Sequence, residues 1–213
     1  GVTQSTIDQV VGIFNTNYAS KFDAGGIGRT KPIIDEKYSA KIDINLTDQH
    51  RLSLTARYAL SELYQRTNLS RTSAGLDSSW YLTGEEDYSY VAELNSDWTD
   101  NFSTQLRITT RDYERRQLPP SGQEFSDVTV CLAPTSQGST TTCDLTGAAN
   151  PSVIRFGPDE FRHANQLATN NVQVQFKGEY SLGDNLIKFG FHSQTQKIFN
   201  IFQDPFERAD ITS

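Results

Sequence analysis

Alternation of apolar and polar residues is the feature that most constrains the fold of this chain. It recurs in six stretches, in which apolar side chains occupy most of the alternate positions. A period of two is typical of a β-strand with one face in an apolar environment and the other in a polar one. The stretches are residues 37–46, 51–60, 88–98, 102–111, 172–180 and 187–192.

Short turns join these stretches in pairs. Thr47–His50, Thr99–Asn101 and Gly183–Asn185 contain the Asp, Asn, Thr and Gly residues that tight turns favour. The sequence therefore predicts an all-β fold of about six antiparallel up-and-down strands. We place its three hairpins at residues 36–63, 87–116 and 171–203.

The connections between the hairpins are long, at residues 64–86 and 117–170. Compact soluble domains seldom carry two long links without structure of their own. Short turns at one end and long loops at the other are typical of bacterial outer-membrane barrels, whose tilted strands cross the hydrocarbon layer in about 9–11 residues. We therefore expect residues 1–213 to be one partial segment of a transmembrane β-barrel with long extracellular loops.

Composition narrows the class of protein further. No run of apolar residues approaches the roughly 20 that a membrane-spanning helix needs. The formal net charge of −7 disfavours a nucleic-acid partner, because binding to phosphates needs a concentrated basic surface. There is no signal peptide at the start of the sequence, so we expect either a processed chain or a fragment.

The two faces of the predicted strands differ in charge. We expect the apolar face to contact lipid, with aromatic side chains at both of its borders. Those near the short turns are Trp98, Phe102 and Tyr180, and those near the long loops are Tyr38, Tyr58, Tyr88 and Tyr113. We expect a charged opposite face to line the lumen, with Arg51, Arg57, Glu93, Asp97, Arg107, Arg111, Lys177 and Glu179. The core of a soluble sandwich would produce the same alternation.

Residues 1–35 differ from the rest of the chain. Ile7, Val10, Val11, Phe14 and Tyr18 fall on one face of a helix, and Ser5 and Asp8 have the spacing of a capping box. This pattern predicts one short N-terminal helix within a further long loop. The alternative is a helix that packs on a soluble core.

Two cysteines, Cys131 and Cys143, lie in a segment rich in Ser, Thr and Gly. We predict a disulfide that closes this loop in an oxidising compartment. The alternative is two unrelated free thiols. No histidine lies near them in sequence, so a zinc site is not predicted.

A carboxylate, a guanidinium and an imidazole occur together at Asp159, Arg162 and His163. These side chains could contact a substrate or a metal ion in the loop. Alternatively, they form a hydrogen-bond network that guides the chain back into the next strand. Neither a nucleophile elbow nor a phosphate-binding loop is present, so we predict no catalytic residue, no metal, no cofactor and no enzymatic activity.

Three segments resemble the Oar-like group of TonB-dependent outer-membrane receptors. Residues Asp35–Asp43 resemble that group's "DEKxxAKxDW" start of a mid-barrel hairpin, and Asp48–Ser53 its "N-D-x-H-R" turn. Residues Phe156–Leu167 are similar to its "GxDxxRHANEL" segment before a later strand. The helix and the cysteine-containing loop occur in comparable places, so the resemblance covers nearly the whole chain.

The resemblance implies a barrel of about 22 strands closed by a plug, which imports substrates with energy from the TonB complex. The partners that it implies are outer-membrane lipid, the rest of the barrel and its plug, the TonB complex and an unknown extracellular substrate. Six strands are too few to close a barrel, so we expect a middle segment with cell-surface loops.

Two other hypotheses remain open at this point. One is a soluble secreted β-rich binding or adhesive module, with the apolar face as its core. The other is a β fragment that associates with itself through unpaired strand edges.

Overall fold

The structure, a computed structural model, describes residues 2–18, 22–27, 29–132 and 152–202. This part of the chain is mostly β, with one α-helix near its start. The elements in chain order are α1 (Gln4–Tyr18), β1 (Ile34–Asn45), β2 (His50–Gln65), β3 (Ser73–Gly75), a short 3-10 helix (Asp77–Ser79), β4 (Tyr81–Thr99), β5 (Phe102–Leu118), β6 (Val128–Cys131), β7 (Val153–Phe156), β8 (Asn165–Leu182) and β9 (Asn185–Ile201).

Six long strands form one antiparallel sheet in the order β1-β2-β4-β5-β8-β9. Neighbours in this sheet are also consecutive long strands of the chain, so the predicted up-and-down arrangement with three hairpins is confirmed. Within the described residues the sheet is open, and β1 and β9 are its two edges.

The three predicted turns join the strands of the three hairpins. In the first, Thr47 Oγ1 accepts hydrogen bonds from the backbone N–H groups of Gln49 and His50, at 3.2 and 3.1 Å. In the last, Gly183 takes a positive φ of 56°, a conformation that glycine adopts without steric cost. All three turns lie at the same end of the sheet, and the long loops lie at the other.

The strands are longer than the alternation predicts. β4 has 19 residues and β5 has 17, so this hairpin begins before residue 87 and ends after residue 116. Alternation fades there because both faces become polar, yet the backbone pairing continues. Glu85 lies opposite Arg115 in the register and pairs with it at 3.4 Å, which links the two strands beyond the apolar region.

Successive side chains point to opposite sides of the sheet, so the pairing register assigns each residue to a face. The apolar face contains rows such as Leu52–Leu94–Leu106–Phe176–Phe191. The other face, here called the hydrophilic face, holds the predicted charged residues. The prediction for the aromatic border is wrong at Tyr113. This residue lies opposite Asp87 and out of phase with Tyr88, so it is on the hydrophilic face.

The long loops are not structureless. β3, β7 and β6 form a second, three-stranded sheet in that order, and α1 packs against it. We call this unit, which comprises the described residues of 2–33, 66–80, 119–132 and 152–164, the loop cluster. It has its own apolar core, made of Ile7, Phe14, Phe22, Ala24, Ala74, Leu76, Ile154 and Phe156.

The helix α1 buries the face that its periodicity predicts, with Ile7 and Phe14 in the core and Val10 and Val11 partly buried against it. Tyr18 is exposed instead. The predicted capping box is also wrong in detail. Thr3, not Ser5, caps the helix, because Thr3 Oγ1 accepts a hydrogen bond from the backbone N–H of Thr6 at 3.2 Å.

Candidate functional site

Cross-strand ion pairs join β4 and β5 on the hydrophilic face. Glu93 on β4 lies opposite Arg107 on β5 and pairs with it at 3.7 Å. Arg111 on β5 donates to the Asp87 carboxylate from both Nε and Nη2, and its guanidinium lies 5.5 Å from the centre of the Tyr113 ring. These contacts balance opposite charges between adjacent strands, an arrangement that stabilises sheet pairing.

Amides dominate the hydrophilic face on the last two strands. Gln173 and Gln175 of β8 lie opposite Gln194 and His192 of β9. The face is therefore charged at β1 to β5 and mostly neutral and polar at β8 and β9. A surface of this kind can hydrogen-bond to water or to polar groups of a ligand.

Aromatic rings border the apolar face at both ends. Next to the loop cluster, the rings of Tyr38, Tyr58 and Tyr88 form a row, with centroids 6.1 and 4.9 Å apart. Both Tyr58 and Tyr88 donate their hydroxyl hydrogen bonds to Glu86. At the turn end, Trp98 contacts His50 edge-on at 4.9 Å, and the other rings there are Phe102, Tyr180 and Phe189.

A shallow depression of about 390 Å³ lies just beyond the tyrosine row, on the same side of the sheet. Its three carboxylates already have partners. Glu86 accepts from the two tyrosines, Asp112 accepts from the Asn170 amide, and Glu114 is bonded to Arg116 and Gln166. The Arg116 guanidinium, with a smaller contribution from the Gln166 amide, lowers the pKa of Glu114 below its ordinary value.

The buried segment Leu76–Trp80 connects the parts of the loop cluster. Ser78 Oγ donates to the backbone oxygen of Ala24 at 2.6 Å and accepts from the backbone N–H of Gly157 at 3.1 Å. The Ser121 hydroxyl donates to the backbone oxygen of Ser78 at 3.0 Å. Ser78 thus bonds to three loop segments that lie far apart in sequence.

Asp77 attaches the N-terminal segment of the chain to the buried segment Leu76–Trp80. Asp77 Oδ1 accepts a hydrogen bond from the backbone N–H of Gly26 at 2.8 Å, and the Asp77 backbone N–H donates to the Gly26 oxygen at 3.0 Å. The other carboxylate oxygen pairs with Arg29 at 3.6 Å and with Lys31 at 3.4 Å. The Asp77 side chain is only 3% exposed, so this buried charge has both hydrogen bonds and counter-charges.

The predicted contact residues Asp159, Arg162 and His163 lie together in the turn before β8. Asp159 Oδ1 accepts from the backbone N–H of Phe161 at 3.0 Å and lies 4.0 Å from the Arg162 guanidinium. Arg162 lies over the Tyr81 ring, and His163 Nδ1 is 2.9 Å from the backbone oxygen of Glu160. These contacts form a local network that leads the chain into β8, and a role in substrate binding stays a prediction.

Of the two cysteines in the predicted disulfide, only Cys131 lies within the described residues. Cys131 ends β6 and is disulfide-bonded. Cys143 lies outside the described residues, so the pairing of the two cysteines stays a prediction.

Sequence reasoning missed Asp77 and Ser78. Their partners Gly26 and Gly157 are 51 and 79 positions away, so no local pattern links them. The segment Leu76–Trp80 contains one acidic residue and two serines between two large apolar residues, and this composition alone does not distinguish it from other loops.

Comparison of the chain with models of known protein families, with curated proteins and with solved structures finds no match. Among the described residues, no α-helix is long and apolar enough to cross a membrane. Within the same part of the chain, no group of three or more His, Cys, Asp or Glu side chains could hold a metal ion.

Proposed function

We propose that this chain is part of a TonB-dependent outer-membrane receptor that binds a substrate at its extracellular loops and imports it. The observation that carries the proposal is the apolar face, which has an aromatic row at each border. None of the described residues forms a layer over it, and Ile42, Tyr90 and Phe191 remain more than half exposed. A large apolar area of this kind needs a partner, and lipid is the partner proposed here.

The height of the apolar band supports a membrane location. Tyr88 and Trp98 lie on the same strand, ten positions apart, at opposite borders of the band. At about 3.4 Å per residue and a strand tilt of about 40°, this spacing corresponds to a height of about 26 Å. The apolar band of an outer-membrane barrel is about 25 Å tall.

The direction of the band gives a second argument. Its loop-side border stays in one pairing row from Tyr38 on β1 to Tyr88 on β4, but on β9 the apolar run from the turn ends at Phe191. Phe191 lies in the pairing row of Ile44, six residues from Tyr38. Strands about 4.8 Å apart and tilted by about 40° shift a membrane plane by about six residues over five strand-to-strand steps. An oblique border is therefore expected for a tilted barrel wall.

The soluble sandwich is less well supported by the described residues. A sandwich core needs a second sheet over the apolar face, about 10 Å away. The second sheet of this structure instead packs with α1 in the loop cluster, at the end of the long strands. In the proposed receptor, the remaining strands of the barrel would pair with β1 and β9, and the plug would contact the hydrophilic face.

Arginine substitutions test the assignment of the two faces. Leu54 and Leu106 lie on the apolar face, whereas Thr55 is the neighbour of Leu54 on the hydrophilic face. An arginine near the middle of the bilayer costs about 2–4 kcal/mol on the lipid side of a barrel. We expect Leu54→Arg and Leu106→Arg to reduce insertion into lipid vesicles, measured by flotation and protease protection, and Thr55→Arg to insert like the unmodified chain.

Two results would count against the proposal. If all three variants insert equally well, the apolar face is not in contact with lipid. If the unmodified chain stays soluble and monomeric without detergent and ignores vesicles, a secreted β-rich module accounts better for the fold.

A further inference from the structure

Charges on the hydrophilic face occur as neighbouring pairs of opposite sign. Lys41 and Arg51 share the Asp43 carboxylate, at 3.0 and 3.8 Å. Each of the other paired cations has a carboxylate of its own, in the pairs Lys37–Asp35, Arg107–Glu93, Arg111–Asp87, Arg115–Glu85 and Lys188–Glu179. Among the described residues, Arg57 and Lys177 are the cations of this face with no carboxylate within 4.0 Å.

Arg57 differs from Lys177 in its surroundings. Lys177 lies near the turn end of β8, two positions from Glu179. Arg57 lies in the interior of the sheet, and the residues opposite it on β1 and β4 are Ser39 and Ser89. Its neighbours on the same face of β2 are Thr55 and Ala59. The residues directly opposite Arg57 and next to it on this face therefore have small side chains, and Arg57 itself is exposed.

Carboxylates of this face on the neighbouring strands β1 and β4 are already engaged. Asp87, in the next row of β4, accepts two hydrogen bonds from Arg111. Asp43, on β1, accepts from the Ser53 hydroxyl and pairs with Lys41 and Arg51. A bidentate bond to Arg57 would require one of these pairs to break, so the described residues leave this guanidinium without a counter-charge.

We propose that Arg57, flanked by Ser39 and Ser89, is an oxyanion-binding site that takes a carboxylate or phosphate group of a ligand. The planar guanidinium presents a fork of N–H donors that matches two oxygens of such a group. The two serine hydroxyls, each directly across from Arg57, can donate to the remaining oxygens. An unpaired charge in a confined lumen gains more from a counter-charge than one in open water.

The inference rests on the proposed function only for the statement that this face lines a lumen. The oxyanion site itself depends on the pairing register and on the ion pairs of the sheet. Binding of an anion and insertion into lipid are measured separately, so either idea can fail alone.

Nuclear magnetic resonance of the arginine Nε–H groups provides the test. The chain, in detergent, is titrated with sodium phosphate and in parallel with sodium acetate, at an ionic strength held constant with sodium chloride. We expect the Arg57 resonance to shift and saturate, while Arg107, which is paired with Glu93, shifts little. The same spectrum thus contains the control residue.

Variants make the test specific. We expect Arg57→Gln to weaken phosphate affinity by about tenfold or more, because a charge-assisted bidentate contact is lost. Arg57→Lys should lose part of the affinity, since it keeps the charge but not the fork, and Arg107→Gln should leave the affinity unchanged. Backbone amide spectra verify that each variant is folded. Two results would overturn the proposal: equal shifts of the Arg57 and Arg107 resonances, or a phosphate affinity of the Arg57→Gln variant equal to that of the unmodified chain.

Discussion

At the scale of single residues, the Asp77 carboxylate joins two segments of the loop cluster that are 51 positions apart. Replacing it by alanine leaves the partly buried Gly26 N–H without its acceptor, which costs up to about 1–3 kcal/mol. The cations Arg29 and Lys31 are partly exposed and can turn to water, so we add no further cost for them. We expect Asp77→Ala to lower the free energy of unfolding of the loop cluster by this amount, measured by urea titration of Trp80 fluorescence in a Trp98→Phe background.

Two comparison variants separate the causes. Asp77→Asn keeps an acceptor for Gly26 and should lose less stability than the alanine variant. Asp35→Ala removes an exposed carboxylate that pairs with Lys37, and such a surface pair contributes about 0–1 kcal/mol. Equal effects of the Asp77 and Asp35 variants would contradict the central role of Asp77.

Two adjacent glycines provide a second prediction at this scale. Gly25 has a φ of 80°, and a Cβ at this position would overlap the Asp77 carboxylate. At Gly26 the nearest atom to a Cβ would be Nε of Arg29, at 3.5 Å, which is ordinary contact. We expect Gly25→Ala to destabilise the loop cluster by about 1–2 kcal/mol or more in the same urea titration, because of the left-handed backbone and the overlap. Gly26→Ala should change the stability of the loop cluster far less.

These residues show why sequence reasoning found the sheet but not the centre of the loops. Leu52 and Leu54 indicate their face through neighbours two positions away, because pleating repeats locally. Asp77, Gly25 and Ser78 obtain their roles from partners dozens of positions distant. Such contacts form only once the loops are folded, and a single sequence contains no local pattern for them.

At the scale of elements, α1 depends on one aromatic side chain for its attachment. The Phe14 ring contacts Phe156 at 4.9 Å and Phe125 at 5.5 Å, both edge-on, and also lies near Phe22. Phe14→Ala would remove these contacts, and truncation of a buried phenylalanine costs about 3–5 kcal/mol. We expect hydrogen exchange of the α1 amides to accelerate strongly in this variant, while the exchange of the β4 amides stays unchanged.

Ile13 supplies the matched control on the same helix. Its side chain is 60% exposed, so Ile13→Ala should leave α1 exchange nearly as it is in the unmodified chain. If both variants accelerate exchange equally, α1 is held by its own helical stability and not by packing in the loop cluster.

The elements also show the limits of periodicity. The long strands were predictable because apolar and polar residues alternate over many positions. The three-residue strand β3 and the four-residue strands β6 and β7 are too short for a period to be seen, so the sequence predicts only loops there. Their pairing depends instead on contacts such as the 2.8 Å hydrogen bond from the Leu76 N–H to the Arg155 oxygen.

At the scale of the whole molecule, two tryptophans lie in the two environments that the proposed function distinguishes. Trp98 lies at the turn-side border of the apolar face and is exposed, whereas Trp80 is buried in the loop cluster. Trp80 precedes Tyr88 by eight positions on the loop side, which places it about 20 Å beyond the apolar band at the strand tilt used above.

Quenching by lipids with bromine on their acyl chains should therefore affect one tryptophan and spare the other. In vesicles of these lipids, we expect the Trp80→Phe variant, which retains Trp98, to lose fluorescence most strongly when the bromines lie near the headgroups, because border aromatics lie at that depth. The Trp98→Phe variant, which retains Trp80, should be quenched little at any bromine position. Equal quenching of both would place the loop cluster in the bilayer as well, and absence of quenching in both would remove lipid as the partner of the apolar face. A second protein layer, from another copy of the chain or from a different subunit, would then be needed to cover that face.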